Sequence, residues 1–236
     1  MNAQRATRNA QNWFLILSGR CEAAVNMATD EALLDAMPRW QKPVLRLYGW
    51  TESAASFGYF QKHSDIESAT MLRPLVRRPT GGGLVPHDAD WTYSVAFPTV
   101  HEWHGVSAIE SYRRVHEWIQ AAFAELNIAT ELAPCCKKSA PGQCFVGYEK
   151  FDLLWQGKKI AGAAQRRNKL GLLIQGSVQP PPLGLQRADW ERAMQNAGIK
   201  MFGAEWVEAR LDEALSARVA ELVSEKYSQR SYNQKR

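Results

Sequence analysis

The chain has 236 residues, 45% of them hydrophobic, with nine tryptophans and a formal net charge of +5. That is enough apolar material for the core of one large domain, so a disordered chain is excluded, and the positive charge favours acidic partners. No apolar run approaches the ~20 residues of a membrane span, and Met1 to Asn12 lacks the apolar region of a secretory signal, so no membrane partner and a cytoplasmic location are expected.

In chain order, Trp13 to Leu17 reads as a buried strand. Ala23 to Met37 follows as a helix, with Ala24, Met27, Ala28, Glu31 and Leu34 at helical spacing and Pro38 as its stop. Pro43 to Tyr48 alternates as a strand, Gly49 to Glu52 turns, and Ala54 to Gly58 is a short return strand. Ser64-Asp65 caps a short helix through Met71. Leu75 to Arg78 is then a strand that runs into three glycines. Trp91 to Phe97 is aromatic and β-branched, and Pro98 ends it. His101-Glu102-Trp103-His104 has its histidines at i, i+3 with no helix signal around them, which reads as surface. Ala108 to Leu126 is a helix whose stripe of Ile109, Tyr112, Val115, Ile119, Phe123 and Leu126 reads as core.

Phe151 to Trp155, Lys159 to Gln165 and Leu172 to Val178 are three further strands. Gln156-Gly157 joins the first two as a hairpin. Pro180-Pro181-Pro182 is a stiff break, and Arg187 to Asn196 and Leu211 to Tyr227 read as helices, the second capping the sheet. Strands grouped with a few inserted helices indicate an α+β fold, mixed β-sheets flanked by helices, in one domain over residues 13–227. Residues 1–12 and 228–236 read as flexible termini.

Three stretches can carry chemistry. Arg77-Arg78-Pro79-Thr80-Gly81-Gly82-Gly83 is a loop whose amides can face a ligand without side chains in the way; no Gly-Lys-Ser/Thr follows, so it is not a Walker loop. Lys159 sits in Gly157-Lys158-Lys159-Ile160-Ala161-Gly162-Ala163-Ala164-Gln165 among small residues that let a ligand approach. Gln143-Cys144-Phe145 holds one of four cysteines; with Cys21, Cys135 and Cys136 it fits no metal-ligand spacing, and free thiols in a reducing compartment, with no metal, are expected.

Arg77 to Asp88, with its RRPTGGG-L-V-P-HD order, resembles a signature of the lipoate–protein ligase A and octanoyltransferase family. Gly157 to Gln165 resembles the family's Gly-Lys-Lys-Ile motif, and Asn26 to Leu34 and Leu45 to Trp50 match further segments. The resemblance covers about residues 13 to 225. It implies a biotin/lipoate protein ligase-like catalytic fold, and attachment of a lipoyl or octanoyl group to one lysine of a lipoyl domain or of the glycine-cleavage H protein. It also implies that Lys159 lies against the acyl carbonyl. The residues implied to bind the substrate are Arg78, Thr80, Gly81, Gly82, Gly83, His87, Gly162 and Ala163.

Smaller features bear on the branch. Cys144-Phe145 resembles the segment that carries the nucleophile in one octanoyltransferase branch, which takes the acyl group from acyl carrier protein as a thioester and needs no cofactor. Thr92 to Val95 and Ser111 to Arg113 are also similar to that branch, and Asp90-Trp91 stands where a ligase has Gly-Asn. Many ligases also carry an additional C-terminal domain, for which few residues remain after Val178. Gly83, by contrast, is ligase-like, and Pro86 and Ala163 depart from the commonest pattern. An ATP- and Mg-dependent lipoate–protein ligase, a lipoyl or octanoyl amidotransferase, and a non-catalytic acyl-binding relative stay open beside the favoured octanoyltransferase. A thiol near ~8.5 is only a few per cent thiolate at pH 7, so Cys144 needs a neighbouring cation, and Lys159 is the candidate. Arg77, Arg78, Lys158, Arg166 and Arg167 are expected to line a basic docking face for acidic carrier and lipoyl proteins; no nucleic acid is expected.

Overall fold

The structure is a computed structural model that describes residues 11–137 and 147–235. β1 (Gln11–Cys21) leads into α1 (Ala23–Trp40), β2 (Val44–Trp50) and β3 (Ala54–Phe57). α2 (His63–Ala69), β4 (Leu75–Arg77) and β5 (Val85–His87) follow, with the glycine loop between the last two. β6 (Trp91–Pro98), the short α3 (Glu102–Gly105), α4 (Ala108–Glu125) and β7 (Glu131–Leu132) come next. β8 (Leu153–Trp155), β9 (Lys158–Arg167) and β10 (Gly171–Val178) form a meander. α5 (Arg187–Phe202), β11 (Ala204–Glu208), α6 (Glu213–Leu222), a π turn (Val223–Tyr227) and α7 (Arg230–Asn233) complete the described chain.

Among the described residues, eight strands form one sheet in the order β11-β1-β2-β6-β10-β9-β8-β7, and three form a second in the order β4-β3-β5. β1 runs parallel to both β11 and β2, whereas β2, β6, β10, β9 and β8 pair antiparallel in turn. Both sheets are mixed.

Period-2 alternation sets the two faces. Leu45 and Leu47 of β2, and Trp91, Tyr93, Val95 and Phe97 of β6, enter a core closed by Val115, Trp118 and Ile119 of α4 and Trp190 and Met194 of α5. Val44, Tyr48 and Ala96 face the other way, onto Met27, Ala28 and Leu33 of α1, which is backed by Leu215, Val219 and Leu222 of α6. α6 packs on α1, which lies between it and the sheet and is largely buried.

Several expectations shift. Pro38 lies inside α1 rather than ending it. Its ring fixes a helix-compatible φ, and in the last turn it removes only one backbone donor. The stop is Gln41, left-handed at φ 51°, whose amide N–H reaches the Met37 carbonyl. β3 does not return along β2; it pairs with β4 and β5 in the smaller sheet, because Thr51 to Ser53 leads the chain away. β5, β7 and β11 are short and lack a periodic signal. Residues 101–105 are not a plain surface run: His101 accepts from the Trp103 amide at the start of α3 and stacks on Phe97 at 4.8 Å between ring centres. Ile109, assigned to the core stripe, is exposed. The polar tail read as flexible forms α7, and Asn233 Oδ1 accepts from the Arg77 amide at 2.8 Å.

Candidate active site

The face of the large sheet that meets α1 carries polar residues where β6 and β10 adjoin. Thr92, Ser94, Gln175 and Ser177 are all buried there. Buried polar atoms need partners, and two carboxylates supply them. Asp30 of α1 accepts from Arg46 at 2.7 Å, Tyr48 at 2.8 Å, Ser94 at 2.7 Å and Gln175 at 2.7 Å. Asp90 Oδ2 accepts from Thr92 at 3.0 Å and Ser177 at 2.7 Å, and bonds His87 Nδ1 at 2.8 Å. These networks form the floor and one wall of a cleft that is partly open to solvent. Its inner surface is largely apolar, supplied by Met27, Trp50, Val85, Ala163 and Ala164.

β9 supplies the opposite wall. It is turned back from β8 by Gln156 and Gly157, whose φ values of 49° and 72° are those of a two-residue hairpin turn with both central residues left-handed. Lys158 therefore points to solvent and Lys159 inward. The Lys159 ammonium lies 2.7 Å from Asp152 Oδ2, with both side chains almost entirely buried. Asp152 also accepts from the Tyr112 hydroxyl of α4 and, at 2.6 Å, from the Glu149 amide. Burial, and secondarily the Asp152 charge, push the Tyr112 phenol well above its ordinary range, so it stays a donor. The Lys159 stem crosses Gly162: a Cβ there would fall 2.7 Å from Lys159 Cε and 2.8 Å from Nζ.

The glycine loop closes the cleft from the side of the small sheet. Gly82 takes φ +83°, open to glycine at little cost, and its carbonyl passes so close to Gly58 that a Cβ on Gly58 would lie 1.9 Å away. Arg78 is buried beneath the loop. Its guanidinium donates to the carbonyls of Gly81 at 2.6 Å and Gly83 at 2.7 Å, and to that of Ser56 at 3.2 Å. His87 stacks on Trp50 at 3.8 Å between ring centres and bonds Ser56 Oγ at 2.8 Å through Nε2.

The fold thus brings Arg78, Gly82, His87, Lys159, Gly162 and Ala163 onto one cleft. Thr80, Gly81 and Gly83 are not among its described lining residues; the Thr80 hydroxyl is spent on Gln175 at 2.8 Å. Cys144 lies outside the described residues. Lys137 and Tyr148, on either side of that segment, are paired by backbone hydrogen bonds of 2.8 and 3.1 Å. Among the described residues, no group of three His, Cys, Asp or Glu side chains is arranged to hold a metal. No described helix is long and apolar enough to cross a membrane.

Sequence reasoning missed the carboxylate partners. Asp152 stands at the head of the apolar run Leu153-Leu154, but nothing in the spacing ties it to Lys159. Tyr112 was assigned to a core stripe and instead reaches the site. Arg77 and Arg78 do not join the expected basic docking face. Arg77 is buried and donates to the carbonyls of Tyr59, Gln61 and Asn233. Arg78 holds the loop. Arg166 pairs with Glu31 at 3.2 Å, and Arg167 donates to Val106 O at 2.6 Å. Of the five, Lys158 is exposed.

Residues 22–179 match the family described as lipoyl protein ligase A/B catalytic domain. Proteins named octanoyltransferase LipM are similar. That of Bacillus subtilis (strain 168) is 35% identical over 185 residues, 71% of this chain and 65% of its own length. That of Staphylococcus aureus (strain NCTC 8325 / PS 47) is 35% identical over 181 residues, covering 71% and 66%. The chain therefore spans a little under two thirds of these relatives. Among solved structures, a lipoate-protein ligase A bound with ATP aligns with a TM-score of 0.78 at 20% identity, over 95% of this chain and 98% of that one. Protein Ta0514 of T. acidophilum aligns with a TM-score of 0.80 at 21% identity, over 95% and 100%. At such identities the likeness establishes the fold, that of the lipoate ligases.

Proposed function

The chain belongs to the lipoyl protein ligase A/B catalytic-domain family, and on that premise we propose that it transfers an octanoyl group from acyl carrier protein to the acceptor lysine of a lipoyl domain or of the glycine-cleavage H protein. A thioester on Cys144 is the intermediate. The observation that carries the reading is the cleft: an apolar slot bounded by the glycine loop on one side and a buried, carboxylate-held ammonium, Lys159, on the other. The names of the 35%-identical relatives support the same reaction.

In the first step the Cys144 thiolate attacks the carbonyl carbon of the carrier's acyl thioester. A new C–S bond forms, the carrier's C–S bond breaks, and the carrier thiolate takes up the proton that Cys144 gave away. In the second, the acceptor amine attacks the Cys144 thioester, the amide forms, and Cys144 leaves as the thiolate while the amine sheds its proton. Both steps place negative charge on the carbonyl oxygen. Lys159 and amides of the glycine loop are the donors available to it in a cleft where charge is poorly screened. ATP and Mg²⁺ belong to the ligase alternative, in which an acyl-adenylate replaces the thioester.

The test is intact-mass measurement after incubation with octanoyl-carrier protein in the absence of ATP. An octanoyl increment that hydroxylamine removes and Cys144→Ser abolishes is expected, followed by transfer to a lipoyl domain. Lys159→Ala should lose the activity while folded, and Lys158→Ala should keep most of it. Full transfer by Cys144→Ala, or transfer only with ATP, would replace the transferase by the ligase.

A further inference from the structure

The buried carboxylate of Asp152 has no place in the two chemical steps, yet the chain commits several donors to it. Asp152 is fully buried, and such a charge is costly unless each oxygen is bonded. Here Oδ1 takes the Tyr112 hydroxyl, and Oδ2 takes the Glu149 amide at 2.6 Å and the Lys159 ammonium at 2.7 Å. The donors come from three separate parts of the chain: α4, the turn before β8, and β9. Tyr112 Oη also lies 3.5 Å from the Ala163 amide, so the same hydroxyl touches the strand that carries the lysine. Gly162 leaves the space through which the lysine stem passes.

We propose that Tyr112 and Asp152 are positioning residues for Lys159: the carboxylate anchors the lysine head and aims it across Gly162 into the cleft, and the Tyr112 hydroxyl fixes the carboxylate. This rests on the reading of Lys159 as the site's cation. A lysine on a strand has four rotatable bonds and three donors, and its head prefers water. In a largely apolar cleft it would otherwise turn outward. A carboxylate at 2.7 Å holds it in place. The tyrosine hydroxyl bonds the carboxylate, and because its phenol is pushed far above the ordinary range it stays a donor.

The assignment makes a prediction that needs no substrate. Cyanate carbamylates a lysine head that it can reach, and the exposed Lys158 on the adjacent position is an internal reference. Peptide mass spectrometry at pH 7.5 should show the Lys159:Lys158 labelling ratio rising about 10-fold in Asp152→Asn, with Tyr112→Phe raising it less, because a lysine that loses its buried anchor swings out to solvent, whereas one whose carboxylate is only loosened does so less often. An unchanged ratio in both variants overturns the proposal. Tyr112→Phe keeps the ring, so it remains informative if Asp152→Asn does not fold.

Activity gives the second arm. Asp152→Asn should lower kcat for octanoyl transfer by about 100-fold while KM for the donor moves less than about 3-fold, the pattern of a misplaced transition-state contact. In a Lys159→Met background the same substitution should have no further effect, because a residue that acts through Lys159 has nothing left to act on. Multiplicative losses would show that Asp152 acts independently and would overturn the proposal. If the wild-type chain transfers no octanoyl group, the function proposed above fails, and the labelling ratio still decides whether Asp152 and Tyr112 hold the lysine.

Discussion

His116 shows at the scale of one residue how the site's surroundings tune stability. It is buried on α4, packs tilted against Tyr112 at 4.3 Å between ring centres, and donates Nδ1–H to the Tyr112 carbonyl at 2.9 Å. Burial pushes its imidazole down to about 4, against the opposing pull of the Asp152 charge. Above the ordinary value near 6.5 the ring is neutral folded and unfolded, and no penalty arises. As pH falls through that range towards 4, the unfolded chain takes up a proton that the folded chain refuses, so stability is lost, and the loss is complete below the folded value. At about 1.4 kcal/mol per pH unit the deficit reaches roughly 3 kcal/mol. Replacing His116 by Asn, which keeps a donor for the Tyr112 carbonyl, should shrink the difference in urea stability between pH 7.5 and pH 4.5 by roughly that amount. An equal acid loss in both proteins would place the sensitivity elsewhere. The histidine itself is unremarkable in sequence; only its burial under Tyr112 makes it an acid sensor.

Among elements, the short helix α7 reaches the glycine loop through few links. Arg77 gives its amide to Asn233 Oδ1 at 2.8 Å and its guanidinium to the Asn233 carbonyl at 3.0 Å, and also to the carbonyls of Tyr59 and Gln61. The Tyr59 amide in turn donates to Thr80 O at 2.9 Å, at the start of the glycines. Asn233→Ala removes the acceptor for a buried backbone donor and the bond from its own Nδ2 to Tyr227 O at 2.9 Å. A loss of about 1–3 kcal/mol is expected, with faster proteolysis after Tyr227, read by thermal melting and limited digestion. Wild-type melting and digestion in the variant would show that the tail contributes nothing. This element was illegible in the sequence, since four helical residues after a polar run carry no period. The β8–β9 hairpin was legible because Gln156-Gly157 between two apolar runs encodes its own turn.

At the scale of the molecule, Asp30 joins layers that are distant in sequence: α1 to β2 through Arg46 and Tyr48, to β6 through Ser94, and to β10 through Gln175. Asp30→Ala leaves the Arg46 guanidinium buried without its carboxylate, a change expected to cost about 3–5 kcal/mol. The melting temperature should fall by more than about 5 °C. A smaller shift would mean that the bonds of Arg46 to Asn26 and Ser18 suffice to compensate it. By itself the sequence determined the fold class, the strand and helix cores, and the glycine-loop and lysine motifs. Those follow from local periodicity, turn chemistry and motif order, which a linear chain displays. Only the tertiary structure decided that Asp152 and Tyr112 meet Lys159, that Arg77 and Arg78 brace the interior instead of a docking face, and that the 92, 94, 175 and 177 positions share one polar floor. Those outcomes depend on strand order and on which charges end up buried together, and no local pattern encodes a pairing across that distance.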